Sequence, residues 1–148
     1  MLLRRFLGAT AVAALLASSA QAEIANGRIR IGVLTDLSGG YEQNSGYGSV
    51  EAARMAAEEM GGKINGATIE ILAGDHQNKP DVGVSVANRC FDVDKVDAVT
   101  DLVNSAVGFA VLDVAKAKNK AVLLTSAGSA DFTGKACGRV PPRGVAGC

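Results

Sequence analysis

Two short stretches carry the residue types best suited to chemistry. Asn104-Ser105 follows the apolar run VDAVTDLV, and Ser126-Ala127-Gly128-Ser129 follows KAVLLT. Each places hydroxyls, amides and backbone N–H groups just past a segment that reads as a buried strand. In open α/β folds the carboxyl ends of parallel strands are where ligands gather. Asn104-Ser105 alone reads as an ordinary helix N-cap. The same position can hold an anion such as a carboxylate on the free amides of a helix's first turn. The second small-polar turn on the same edge keeps both readings open. Ser38-Gly39-Gly40, after the first strand, would complete the rim.

Other groupings are weaker. His76, the only histidine, follows Asp75 at a strand end. With Ser38 or Ser126 as nucleophile it could belong to a hydrolytic triad, but no G-x-S-x-G elbow is present. A surface Asp-His pair is the expectation. Glu58 and Glu59 are adjacent on a helix and point about 100° apart, so they read as solvated charges rather than a catalytic pair. There is no G-x-G-x-x-G after the first strand and no G-x-x-x-x-G-K-S/T, so no nucleotide cofactor is indicated. Cys90, Cys137 and Cys148 show no zinc spacing. Cys90 reads as a small core residue on a helix. Cys137 looks like half of a disulfide, with no reason to assign Cys148 as its partner. An odd cysteine count in an exported chain leaves at least one thiol unpaired.

The elements that would position these turns follow from periodicity. Arg28–Thr35 is apolar on both faces through IGVL, as a central parallel strand should be. A helix is predicted over Val50–Met60, with Ser49 as N-cap, an apolar stripe of Val50, Ala53, Ala57 and Met60, and Gly61-Gly62 ending it. Ile64-Asn65-Gly66 makes a turn. Ala67–Asp75 alternates more than the first strand and so should lie nearer the sheet edge. Pro80 opens a second helix through Phe91. A third strand spans Val96–Leu102, a third helix Ala106–Lys118, and a fourth strand Lys120–Thr125. Lys116 and Lys118 suit the third helix's C-terminal turn. The order β-α-β-α-β-α-β predicts an α/β fold with about four parallel strands, right-handed crossovers and helices on both faces.

The composition is globular: 48% hydrophobic, 4% aromatic and formal charge +0. A neutral balance gives no reason to expect nucleic acid or an anionic membrane as partner. Residues 1–22 read as a secretory signal peptide, with basic Arg4-Arg5, the apolar run FLGATAVAALLASSA and the A-x-A site Ala20-Gln21-Ala22. No later stretch approaches membrane length. Residues 23–137 then form the folded part, exported to the periplasm. The tail GRVPPRGVAGC lacks periodicity and is expected to be disordered.

The segments IRIGVLTDLSG, GSVEAARMAAEEMGGKINGATIEILAGDHQNKPDV, VDAVTDLVNSAVGFAV and LLTSAGSADFTGKAC resemble the periplasmic solute-binding proteins of ATP-driven importers. The nearest type binds branched-chain amino acids. The resemblance implies a partial type I lobe, one of two joined by a hinge, and no enzymatic activity. It implies a small-molecule ligand, an amino acid or similar polar solute, and a membrane permease as partner. The ligand-gripping turns would supply Asn104, Ser105, Ala127, Gly128 and Ser129. A member of that family is more than twice this length, and the resemblance stops at Cys137. The tail therefore reads as a truncated or out-of-frame product. A secreted hydrolase using Ser and His76, or a non-functional gene fragment, are the alternatives.

Overall fold

The computed structural model describes residues 27–137. The signal-peptide and tail assignments lie outside these residues. The chain runs β1 (Arg28–Thr35), α1 (Gly46–Glu59), β2 (Lys63–Ile64), β3 (Ala67–Asp75), α2 (Pro80–Asp92), β4 (Ala98–Asp101), α3 (Ser105–Ala117) and β5 (Ala121–Leu124). A short 3-10 turn, Ala130–Thr133, follows. The strands form one sheet in the order β2-β3-β1-β4-β5. The β1–β3, β1–β4 and β4–β5 pairs are parallel. β1 is therefore central, as its two-faced apolar run requires.

The fifth strand is a correction to the sequence reading. Lys63-Ile64 pairs antiparallel with Thr68 and Ala67 of β3. Asn65 and Gly66 both adopt positive φ, at 50° and 86°. That is the type I′ hairpin geometry that an Asn-Gly pair favours. β3 accordingly lies one short strand in from the sheet edge.

The helices start as local chemistry dictates, with one exception. Pro80 occupies the first turn of α2, where a missing N–H costs nothing. Asn104 caps α3. α1, however, begins at Gly46 rather than Val50, and Ser45 stands at its N-cap without a side-chain cap bond. Ser49 caps nothing. The Ser45 hydroxyl accepts instead from Thr35 Oγ1 at 2.9 Å. A buried tie to β1 starts this helix against the poor propensity of Gly46 and Gly48. At its other end Gly61 and Gly62, with φ of 77° and 68°, close α1 as expected.

The main core lies between the sheet and the α2–α3 layer. Leu34 and Val99 from the sheet meet Ala87, Cys90 and Phe91 of α2 and Val107, Val111 and Ala115 of α3. Cys90 is buried and unbonded, as its sequence position suggested. Burial pushes its thiol pKa upward, with Asp94 adding to the rise and Arg89 opposing it. It therefore stays a protonated packing residue. Cys137 is disulfide-bonded, whereas Cys148 lies outside the described residues. Lys118, at the end of α3, reaches across to Asp92 at the end of α2 at 2.8 Å.

Gly83 sets how closely α2 and α3 approach. A methyl group there would stand 2.7 Å from Val107 Cγ1. Real carbon contacts do not come that close, so the helices would have to separate. Gly83→Ala is therefore expected to destabilise the fold by about 1–3 kcal/mol, the usual cost of overpacking. Urea unfolding followed by circular dichroism measures this. An unchanged midpoint would show that the α2–α3 contact relaxes freely.

Candidate functional site

Three adjacent parallel strands each run into an aspartate: Thr35-Asp36, Gly74-Asp75 and Thr100-Asp101. Asp36 and Asp101 are buried, with 0% and 1% exposure. Asp36 Oδ1 accepts from Gly39 N at 2.8 Å, and its Oδ2 from Tyr41 N at 2.9 Å. The loop after β1 is thus wrapped around one carboxylate. Asp75 clamps the same loop from β3, accepting from Leu37 N at 3.0 Å and from Ser38 Oγ at 2.7 Å. Gln77 N donates to it at 2.8 Å. Burial acts to raise the Asp75 pKa, but the bonds from Ser38, Gln77 and Leu37 hold it below the ordinary value.

Asp101 does the same for the turn after β5. Its Oδ1 accepts from Ser126 Oγ at 2.7 Å. Its carbonyl accepts from Thr125 N at 3.4 Å, and Leu102 N donates to Leu34 O at 3.0 Å. Asp101 and Leu102 both lie in the left-handed region, with φ of 80° and 61°. That conformation is unfavourable for a bulky residue such as Leu102, at roughly 1–2 kcal/mol. Backbone strain of this kind clusters at functional sites.

Asn104 caps α3 with its side chain. Its Oδ1 accepts from Ala106 N at 2.7 Å and Val107 N at 3.2 Å. Its Nδ2 donates to Asn78 Oδ1 in the loop before α2. Gly108 N donates to the Asn104 carbonyl at 2.8 Å. The anion-holding reading is modified here, because two of the helix's leading amides already serve the cap. Among the described residues, the Ser105 N–H is left without a protein acceptor, and so are those of Ala127, Gly128 and Ser129. Ser129 Oγ accepts from Asp131 N at 3.3 Å, which leaves its hydroxyl proton available to donate.

The turn bearing Ser129 is docked on α3. Phe132 stacks on Phe109 with ring centroids 4.1 Å apart and planes inclined by 21°. Gly108 makes room for this, since a methyl group there would sit 2.9 Å from Phe132 Cζ. The turns after β4 and β5 leave the sheet from neighbouring strands, Asp101 pairing with Leu124.

His76 is not on the surface. It is fully buried, which corrects the expected surface Asp-His pair. Its Nδ1 accepts from Asn78 N at 3.1 Å, so the neutral ring carries its proton on Nε2. Nε2 and Asp101 Oδ2 are buried without partners among the described residues. Burial pushes the His76 pKa below its ordinary 6.5, against the opposing pull of Asp36, Asp75 and Asp101. The two serines considered as nucleophiles donate to Asp75 and Asp101 rather than to His76. Among the described residues no group of three or more His, Cys, Asp or Glu could hold a metal ion. Glu58 and Glu59 are exposed.

The periplasmic binding protein profile matches residues 28–140. The chain belongs to the periplasmic binding protein family. A branched-chain amino acid transporter periplasmic ligand-binding protein of Burkholderia xenovorans is 39% identical, with a TM-score of 0.71 over 74% of this chain and 29% of that one. A periplasmic binding protein of Burkholderia mallei is 37% identical, with a TM-score of 0.72 over 75% of this chain and 30% of its own. A Streptococcus pneumoniae branched-chain amino acid transporter substrate-binding protein, solved with isoleucine, is 26% identical, with a TM-score of 0.63 over 72% of this chain and 31% of that one. No curated protein sequence matches. This periplasmic binding protein thus spans about 30% of the length of these relatives and corresponds to part of a type I lobe. Among its described residues no helix is long and apolar enough to cross a membrane.

The buried imidazole sets a pH dependence. The unfolded chain takes a proton at His76 before the folded one does, so stability falls as pH drops through 6.5. Asp75, held low in the fold, adds a second loss below 3.8. Thermal melts should therefore shift downward between neutral pH and about pH 5, and further in stronger acid. A melting temperature that is flat or rises across the first interval would contradict a neutral buried ring.

Proposed function

We propose that this periplasmic binding protein is the solute-receiving part of an ATP-driven importer. It is exported to the periplasm by its N-terminal signal segment and takes an amino acid or a similar small polar solute. The observation that carries this reading is the set of unengaged N–H groups at Ser105, Ala127, Gly128 and Ser129, at the ends of paired strands. They form a rim of donors suited to a carboxylate. Ser105 and Ser129 add hydroxyls, and Asn104 sets the direction of α3, its side-chain oxygen spent on the cap and its Nδ2 on Asn78. The Burkholderia xenovorans and Streptococcus pneumoniae relatives, named for branched-chain amino acids, support that solute class. The partner is a membrane permease, and the rim is one half of a two-lobed clamp.

One half of a clamp leaves much of its ligand in water and makes few contacts. This chain alone should bind isoleucine no tighter than ~1 mM. NMR titration of residues 23–148 with isoleucine tests the reading. The amides of Ser105 and Ala127–Ser129 should shift. Ser105→Ala and Ser129→Ala should each weaken the response by roughly 2- to 12-fold, one hydrogen bond's worth. No shift at tens of millimolar isoleucine or other amino acids, or shifts confined elsewhere, would overturn it.

A further inference from the structure

His76 touches the solute rim only at second hand, through Asn78. We propose that His76 is a positioning residue for the Asn104–Ser105 end of the rim, and that a proton taken up at its Nδ1 loosens that end. The proposal rests on the reading of this rim as a solute site, but its test needs no solute.

The relay is a chain of bonds already described. Asn78 N donates to His76 Nδ1. Asn104 Nδ2 donates to Asn78 Oδ1. Asn104 Oδ1 accepts from Ala106 N and Val107 N at the start of α3. Nδ1 is the one ring nitrogen free to take a proton, since Nε2 already bears one. A solvent proton arriving there turns an acceptor into a donor facing another N–H. The Asn78 bond is then lost, and two donors repel where one bond stood.

The loop gives Asn78 little independent hold. Gln77 and Asn78 both sit at positive φ, 51° and 55°. The segment is fixed by His76 N to Thr35 O at 3.0 Å and Lys79 N to His76 O at 2.9 Å, and by Gln77 N to Asp75. A swing of Asn78 takes Oδ1 away from Asn104, and with it the anchor of the α3 cap.

The groups around the ring favour such a role. Asp36 from the end of β1, Asp75 from β3 and Asp101 from β4 all pull toward the charged ring, while burial opposes it. From α2, Gly83 lies beside the ring, where a built Cβ would stand 3.7 Å from His76 Cβ, and it brings no charge. The balance of these forces leaves His76 neutral near pH 7, with the three carboxylates favouring its charged form as pH falls. The orphaned Nε2 and Asp101 Oδ2 are a donor and an acceptor, and the Asp101 carboxylate favours the charged ring.

Because His76 is the only histidine, its ring gives one unambiguous NMR titration. The full chain is titrated downward from neutral pH without solute. The ring midpoint should fall below 6.5, the ordinary value. The Asn104 side-chain amide and the Ala106 and Val107 backbone amides should move with the same midpoint. His76→Gln should abolish that transition. Asn78→Gly, which keeps the left-handed backbone and its N–H, should leave the ring titrating while the α3 amides stay still. Ala106 and Val107 amides that ignore the ring titration, or a transition that survives in Asn78→Gly, overturn the relay. So does a ring that stays neutral until the chain unfolds.

Discussion

The carboxylates of Asp36, Asp75 and Asp101 hold the working edge of this molecule together. Parallel strands end with backbone groups pointing into loops, and loops have no ladder to satisfy them. Here each central strand supplies its own anchor. Asp36 and Asp75 share the loop after β1, which receives bonds at Leu37, Ser38, Gly39 and Tyr41. Asp101 holds the loop after β5 through Ser126. Charge-assisted bonds of this kind are roughly twice as strong as neutral ones. They are strongest where water is excluded, as it is around Asp36 and Asp101. The arrangement places three acids around one imidazole, and burial keeps that imidazole neutral.

Much of this was legible in the residues. The two-faced apolar run of β1 required a central parallel strand, and that is its place. Pro80 and Asn104 announced the starts of α2 and α3. The remaining features lack a local signal. Two residues are too few to show strand periodicity, so β2 carries no strand signal and Ile64-Asn65-Gly66 reads as a turn. Gly46-Tyr47-Gly48 has poor helix propensity, and only the distant tie from Thr35 to Ser45 begins α1 there. His76 sits in the polar string DHQNKP, which reads as solvent-facing. Its burial comes from lying under the ends of three strands, a fact of topology rather than of composition. The recurrent strand-ending aspartate in LTD, AGD and VTD is the local sequence signal for this edge.

The candidate rim was legible in position and less so in chemistry. Asn104, Ser105 and Ala127–Ser129 do lie past the ends of the neighbouring strands β4 and β5. The sequence could not say which donors were already occupied. Asn104 turned out to consume the amides of Ala106 and Val107, which moves the available donors toward the turn after β5. A capping side chain and a ligand compete for the same N–H groups, and the folded arrangement, not the residue types, decides which is served.

The stacked rings of Phe109 and Phe132 carry a kinetic consequence. They fasten the turn after β5 to a helix, so the donors proposed to meet a solute are held in place by the fold itself. A small molecule meeting this edge would not wait for a loop to organise, and ordering entropy would not be charged against its affinity. Arrival would proceed at the pace of diffusion and orientation. Differences among solutes would then be expressed in how long each one stays.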